Sequence, residues 1–110
     1  MVVSVNPQQA QELISRGEVE VIDVRDPPGE WSGGHISGAR FVPLSQLRSN
    51  PKGLLVRDGV VFVCAAGVRS QSAARIAASL GLERVYNVTG GTRAWVKAGL
   101  ALVNDISVAV

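Results

Sequence analysis

A continuous apolar run, Val60–Val63, constrains the fold of this chain more than any other feature of its sequence. It follows an Asp58-Gly59 turn and consists of β-branched and aromatic residues without polar alternation, which is typical of a strand buried on both faces. Over residues 69–80 the spacing of small and apolar side chains predicts a helix that ends at Gly81. A buried strand followed closely by a helix indicates an α/β fold.

The only cysteine of the chain, Cys64, lies between this strand and this helix. In open α/β sheets, ligands bind at the carboxyl ends of the strands, beside helix N-termini that offer unpaired N–H groups. Gly67 permits a tight turn there, and Arg69 adds a permanent cation. We therefore expect the pKa of Cys64 to lie below that of a free cysteine. A lone cysteine in this position is more commonly a core residue, but a core role needs neither the glycine nor the arginine.

The spacing between the cysteine and the arginine separates two classes of enzyme. Cysteine phosphatases carry five residues between these two residue types, which leaves room for a tetrahedral phosphate. Here four residues, 65–68, separate Cys64 from Arg69, and the smaller ring suits a single sulfur atom carried on the cysteine. The segment Cys64-Ala65-Ala66-Gly67-Val68-Arg69-Ser70 resembles the active-site loop of single-domain rhodaneses, which are sulfurtransferases.

Two further motifs extend this resemblance over most of the chain. Ile22-Asp23-Val24-Arg25 and Gly34-His35-Ile36-Ser37-Gly38-Ala39 together are similar to the N-terminal rhodanese signature. Gly90-Gly91-Thr92-Arg93-Ala94-Trp95 is similar to the Gly-Gly and Trp segment near the family's C-terminus. The three motifs occur in order between residues 19 and 99. The resemblance implies an α/β, rhodanese-like fold with a five-stranded, mostly parallel sheet and helices on both faces.

The same resemblance implies an activity and assigns roles to the loop. Cys64 would be the nucleophile that takes sulfur from a donor of the thiosulfate or polysulfide class and passes it to cyanide, an external thiol or a sulfur-acceptor protein. The backbone N–H groups of the loop and the Arg69 side chain would bind the anionic donor. The implied substrate-binding residues are Ala65, Ala66, Gly67, Val68, Arg69 and Ser70. No cofactor or metal is expected. Family members proficient with thiosulfate often carry further cations here, whereas Arg69 is this loop's only cation.

Three residues outside the loop are predicted to support the site. Asp23 and Arg25 lie at the C-terminal end of a predicted strand and are expected to order the neighbouring loops, with Arg25 paired to Glu30. His35 is the only histidine of the chain. A Cys–His pair is a familiar catalytic arrangement, but this position looks structural in the family, so we predict a structural His35.

Strands alternate with helices along the rest of the chain, which predicts a largely parallel sheet. The predicted strands are residues 2–5, 19–24, 40–43, 60–63 and 84–88. The predicted helices begin near Pro7, Leu44, Arg69 and Thr92. Pro27-Pro28-Gly29 is predicted to be a loop and residues 50–53 a turn, because proline and glycine favour both.

Composition narrows the possible functions. The chain has 110 residues, so it is predicted to form a single domain, 1–110, with its core at about residues 2–103. The net charge of +2 is spread over scattered basic residues, which does not indicate nucleic-acid binding. One cysteine forms no internal disulfide, and no segment is apolar for long enough to span a membrane. The N-terminus lacks the features of a signal peptide, so we expect a cytoplasmic protein.

Alternatives remain open at this point. The apolar tail, residues 104–110, is compatible with an added edge strand, an oligomer contact or a loose end. A binding or regulatory module would keep the fold without turnover, but the intact loop with its cysteine disfavours this reading. A cysteine phosphatase or arsenate reductase would use the same nucleophile, but the short loop disfavours it.

Overall fold

The computed structural model describes residues 2–104, which form five strands and six helices around one sheet. All pairings between the strands are parallel, in the order β1-β5-β4-β2-β3. The α/β fold predicted from the sequence is therefore confirmed, and its sheet is fully parallel. The elements are β1 (Val2–Val5), α1 (Pro7–Ser15), β2 (Glu20–Asp23), α2 (Pro28–Ser32), β3 (Arg40–Phe41), α3 (Leu44–Ser49), α4 (Pro51–Leu54), β4 (Val60–Val63), α5 (Val68–Ser79), β5 (Val85–Val88) and α6 (Gly91–Lys97).

The apolar run Val60–Val63 forms the central strand, β4. It is paired to β2 on one side and β5 on the other, and all four of its residues are fully buried. Val60 and Phe62 pack with α3 and α5, whereas Val61 and Val63 pack on the other face with α1 and α6. Each such side chain stabilises the fold by about 1.5–3 kcal/mol. Burial on both faces is the reason that the strand shows no polar alternation.

Two short helices replace segments that were predicted to be irregular. The prediction of a loop at Pro27-Pro28-Gly29 is wrong, because α2 begins at Pro28. Proline is tolerated at the first helical position, where its missing N–H would have no intrahelical partner. The predicted turn at residues 50–53 is likewise a one-turn helix, with the Asn50 side chain accepting a hydrogen bond from the N–H of Gly53.

The end of the described chain pairs with the segment that precedes β3. His35 and Val103 form an antiparallel bridge with N–H···O distances of 2.9 and 2.7 Å. The prediction for the tail falls almost entirely on residues 105–110, which lie outside the described residues. Within residues 2–104, no helix combines the length and apolar character needed to cross a bilayer.

Candidate active site

Cys64 lies directly after the central strand, and its sulfur is surrounded by hydrogen-bond donors. The residue is 1% exposed. Its Sγ accepts hydrogen bonds from the N–H groups of Gly67, at 3.1 Å, and Ser70, at 3.3 Å. The Ser70 hydroxyl lies 3.2 Å away. The sulfur, with two N–H groups donating to it and the Ser70 hydroxyl in contact, occupies an anion-binding position at the N-terminal end of α5.

Gly67 shapes the turn that aims these groups at the sulfur. Its φ of +92° is in the left-handed region, and α5 begins immediately afterwards at Val68. A Cβ atom at this position would lie 3.1 Å from the Gly90 nitrogen and 3.2 Å from the Val88 oxygen. The tight turn expected at Gly67 is confirmed, and the turn packs directly against the chain that leads into α6.

The first residues of α6 hold the loop from its other side. The N–H of Thr92 donates to the Cys64 carbonyl at 2.8 Å, and the N–H of Arg93 donates to the Ala65 carbonyl at 3.1 Å. These contacts anchor the loop carbonyls at α6, away from the sulfur that the loop N–H groups bind. Gly91 has a φ of +62°, and a Cβ there would lie 2.2 Å from the Cys64 oxygen. The Gly-Gly motif near the C-terminus therefore builds the cysteine loop, although its position in the sequence does not show this.

The surroundings of Cys64 favour its thiolate. Burial by itself raises the pKa of the thiol, but the Ser70 side chain and the N–H groups of Ser70, Ala66 and Gly67 outweigh burial, so the pKa lies below its ordinary value. The direction agrees with the expectation from the sequence. The causes differ from that expectation, because hydrogen bonds dominate and the charge of Arg69 is not among the main contributions.

Asn87, which was not among the predicted site residues, accepts a hydrogen bond from the Ser70 hydroxyl. The Ser70 hydroxyl makes a short hydrogen bond to Oδ1 of Asn87. The Asn87 amide nitrogen in turn donates to the Gly67 carbonyl, at 3.2 Å, and to Oε1 of Gln71, at 2.8 Å. Asn87 is 5% exposed in the otherwise largely apolar β5. A buried polar residue within an apolar strand is the signal that would have identified it.

Arg69 does not extend freely into the site, because it forms an ion pair with Glu30. Its Nη1 donates to Oε1 of Glu30 at 3.0 Å, and its Nη2 donates to Oε2 at 3.2 Å. The predicted pair between Arg25 and Glu30 is therefore wrong. Glu30 belongs to α2 and is within reach of the start of α5, whereas Arg25 is held by a nearer and more deeply buried carboxylate.

That carboxylate belongs to Asp23, which is fully buried. Arg25 donates to it from Nε, at 3.0 and 3.1 Å, and from Nη2, at 2.7 Å. The same Nη2 also donates to the Gly34 carbonyl at 2.8 Å. A buried carboxylate requires a partner of this kind, since an unpaired charge is costly in the interior. The pair ties the end of β2 to the loop before His35, which is the ordering role expected for Asp23 and Arg25.

His35 is buried beside α2 and takes no part in the contacts of the sulfur. Its Nδ1 lies 2.9 Å from the Trp31 carbonyl, and its ring stacks on the Trp31 indole with the ring centroids 3.6 Å apart. Across the described chain, no hydrogen bond joins the His35 ring to the Cys64 sulfur. This geometry favours the structural His35 that we predicted over a Cys–His pair.

The remaining loop positions contribute backbone and surface. The N–H groups of Ala65 and Val68 do not donate to the sulfur, and Val68 is 74% exposed at the rim. Among residues 2–104, no three His, Cys, Asp or Glu side chains come together as a metal site would require. The site is therefore built from one thiol, backbone N–H groups, a serine and an arginine that is paired with a glutamate.

Comparisons with known proteins agree with this architecture. Residues 6–98 match the model of the rhodanese-like domain. Thiosulfate sulfurtransferase GlpE of Ectopseudomonas mendocina is 40% identical over 91 residues, which are 83% of this chain and 82% of that protein. The uncharacterized protein YqhL of Bacillus subtilis is 40% identical over 78 residues, which are 71% of this chain and 61% of that protein's length.

Among solved structures, a rhodanese-related protein from Thermoplasma volcanium superposes with a TM-score of 0.82 and 33% identity, covering 94% of this chain and 99% of the other. The matched residues 6–98 include β4, the cysteine loop and the Gly-Gly turn that build the site. The chain is therefore a member of the rhodanese-like family.

Proposed function

We propose that this protein is a sulfurtransferase that carries a persulfide on Cys64. The observation that carries the proposal is a buried sulfur that accepts hydrogen bonds from the N–H groups of Gly67 and Ser70, contacts the Ser70 hydroxyl and has a lowered pKa. A structural core cysteine needs no such set. The similarity to proteins named thiosulfate sulfurtransferase supports the same activity.

The reaction proceeds in two displacement steps. In the first, the Cys64 thiolate attacks the outer sulfur of the donor, an S–S bond to the cysteine forms, and the donor's own bond to that sulfur breaks. Thiosulfate would leave as sulfite, taking the electron pair of the broken bond. In the second step, cyanide or a thiolate attacks the outer sulfur of the persulfide, and the Cys64 thiolate is regenerated. No net oxidant or reductant is consumed.

The loop donors act on both states of the cysteine. The N–H groups of Gly67 and Ser70 stabilise the attacking thiolate and receive it again as the leaving group of the second step. Because Cys64 is the only cysteine of the chain, no second thiol within it resolves the persulfide, and the acceptor is external. A reducing compartment keeps a free thiol reduced, which supports our expectation of a cytoplasmic protein.

Steady-state assays of sulfurtransfer and of phosphate-ester hydrolysis test this function against the phosphatase alternative. With thiosulfate and cyanide as substrates, the wild-type protein should form thiocyanate, and the Cys64→Ser variant should form none. With an aryl phosphate, the wild-type protein should release no phenol. Hydrolysis of the aryl phosphate at a rate comparable to sulfurtransfer would contradict the argument from the four-residue loop. A folded protein that transfers no sulfur would instead favour the binding-module alternative.

A further inference from the structure

The ion pair between Glu30 and Arg69 removes the free positive charge that the loop would otherwise present to a donor. We propose that Glu30 is a specificity-determining residue, which makes the site select monoanionic sulfur donors over the thiosulfate dianion. This inference rests on the proposed sulfurtransferase function and names the charge class of its donor.

The geometry of the pair leaves Arg69 with fewer hydrogen-bond donors and less net charge for a second anion. Both terminal nitrogens of the guanidinium face the two carboxylate oxygens of Glu30, at 3.0 and 3.2 Å. This two-point contact occupies the edge formed by Nη1 and Nη2, one of the two planar edges with which a guanidinium binds a sulfonate or sulfate group. Within residues 2–104, every hydrogen bond of the Arg69 side chain goes to Glu30.

Both groups stay charged, and the ion pair therefore stays formed, over the physiological pH range. Its hydrogen bonds lower the pKa of Glu30 and raise the pKa of Arg69. Protonation of Glu30 therefore does not free the arginine near neutral pH. The two charges sum to zero, so the pair contributes little net attraction for an incoming anion.

Other charges near the pair do not restore a positive site. The positive charge of Arg25 lowers the pKa of Glu30, but the Arg25 side chain is paired with the Asp23 carboxylate. The positive charge of Arg93 also lowers the pKa of Glu30, and the negative charge of Asp26 raises the pKa of Arg69. Because Arg93 and Asp26 have opposite charges, together they add no net charge. The loop side chains between Cys64 and Arg69 are uncharged. The loop N–H groups remain as the principal hydrogen-bond donors to a bound anion, and the loop adds no unpaired full positive charge that would favour a dianion over a monoanion.

The selectivity is a preference and not an absolute barrier. Both side chains of the pair are 31% exposed, so water and salt weaken their interaction and a dianion can compete for Arg69. Removing the Glu30 charge should therefore raise the use of dianions by about tenfold.

The test compares two donors that transfer sulfur by the same displacement and differ in charge. Thiosulfate is a dianion that releases sulfite, and methanethiosulfonate is a monoanion that releases methanesulfinate. The ratio of kcat/KM for thiosulfate to that for methanethiosulfonate is measured in the wild type and in Glu30→Gln. The ratio should rise about tenfold in the variant. The control is Glu12→Gln, which removes the same charge from an exposed pair with Arg16 on α1 and should leave the ratio unchanged.

A measurement without turnover separates this inference from the proposed function. Sulfate is a dianion that transfers no sulfur, and iodoacetamide is an uncharged reagent that alkylates Cys64. Sulfate should protect Cys64 at a lower concentration, by about tenfold, in Glu30→Gln than in the wild type. An unchanged or weaker protection, or an unchanged or smaller donor ratio, would show that Glu30 merely orients Arg69 and would overturn the inference. Enhanced protection without sulfurtransfer from either donor would refute the proposed function and show an anion site gated by Glu30.

Discussion

The hydroxyl of Ser70 lies 3.2 Å from the Cys64 sulfur and also contacts Oδ1 of Asn87, so one hydrogen faces two acceptors. When Cys64 is a thiol, its S–H donates to Ser70 and the Ser70 hydroxyl donates to Asn87. When Cys64 is a thiolate, the hydroxyl donates to the sulfur, and Oδ1 of Asn87 loses its donor. Ionisation of the nucleophile is therefore coupled to a buried amide in the neighbouring strand β5.

Ser70→Ala should raise the pKa of Cys64, because it removes a hydrogen bond that the thiolate accepts. Hydrogen bonds to charged groups contribute about 1.5–3 kcal/mol, which corresponds to a shift of roughly one to two pH units. The rate of alkylation by iodoacetamide rises with pH as the thiolate forms, so its midpoint should move to higher pH. Ser79→Ala, at an exposed position of the same helix, is the control. An unmoved midpoint in Ser70→Ala would show that the backbone N–H groups alone set the pKa.

Gly91→Ala should destabilise the protein more than Gly17→Ala, although both glycines have similar positive φ values of +62° and +71°. A Cβ at Gly17 meets no atom within 4 Å, so the cost is that of the left-handed backbone, about 1–2 kcal/mol. A Cβ at Gly91 would lie 2.2 Å from the Cys64 oxygen and must displace the loop. We expect a loss of about 4 kcal/mol or more in the free energy of unfolding, measured with urea. Equal losses in the two variants would contradict the close approach of α6 to the loop.

Arg25→Met should lower the free energy of unfolding by about 3–5 kcal/mol, because it leaves the buried Asp23 carboxylate without its partner. The double variant Asp23→Asn, Arg25→Met should recover part of this loss, since it removes the uncompensated charge. The control is Arg16→Met, whose exposed pair with Glu12 should contribute less than about 1 kcal/mol. A small loss in Arg25→Met, similar to the control, would contradict a stabilising role for this buried pair.

The main elements of the fold could be predicted because their patterns are long enough to show a period. The unbroken apolar residues of β4 and the helical spacing in α5 are local signals, and the capping box of Asn6 and Gln9 marks the start of α1. In contrast, α2 and α4 have five and four residues, too few for a helical period to appear. Their prolines indicate a loop or turn in the sequence, although proline is also common at the first helical position.

The site was predictable only in part, because some of its contacts join distant elements. The cysteine, the glycine turn and Ser70 follow one another in the sequence, so their proximity was evident. The partner of Arg69 depends on how α2 is placed against α5, and the deeply buried Asp23 holds Arg25 away from Glu30. The hold of α6 on the loop carbonyls likewise arises only when the sheet is assembled.

Intact mass spectrometry after incubation with thiosulfate or methanethiosulfonate tests the central claim most directly, because it detects the persulfide without requiring an acceptor. The wild-type protein should gain the mass of one sulfur atom per chain, and treatment with cyanide should remove it. The Cys64→Ser variant should gain nothing under the same conditions. An unchanged wild-type mass with both donors, or a gain that persists in Cys64→Ser, would contradict a persulfide carried on Cys64.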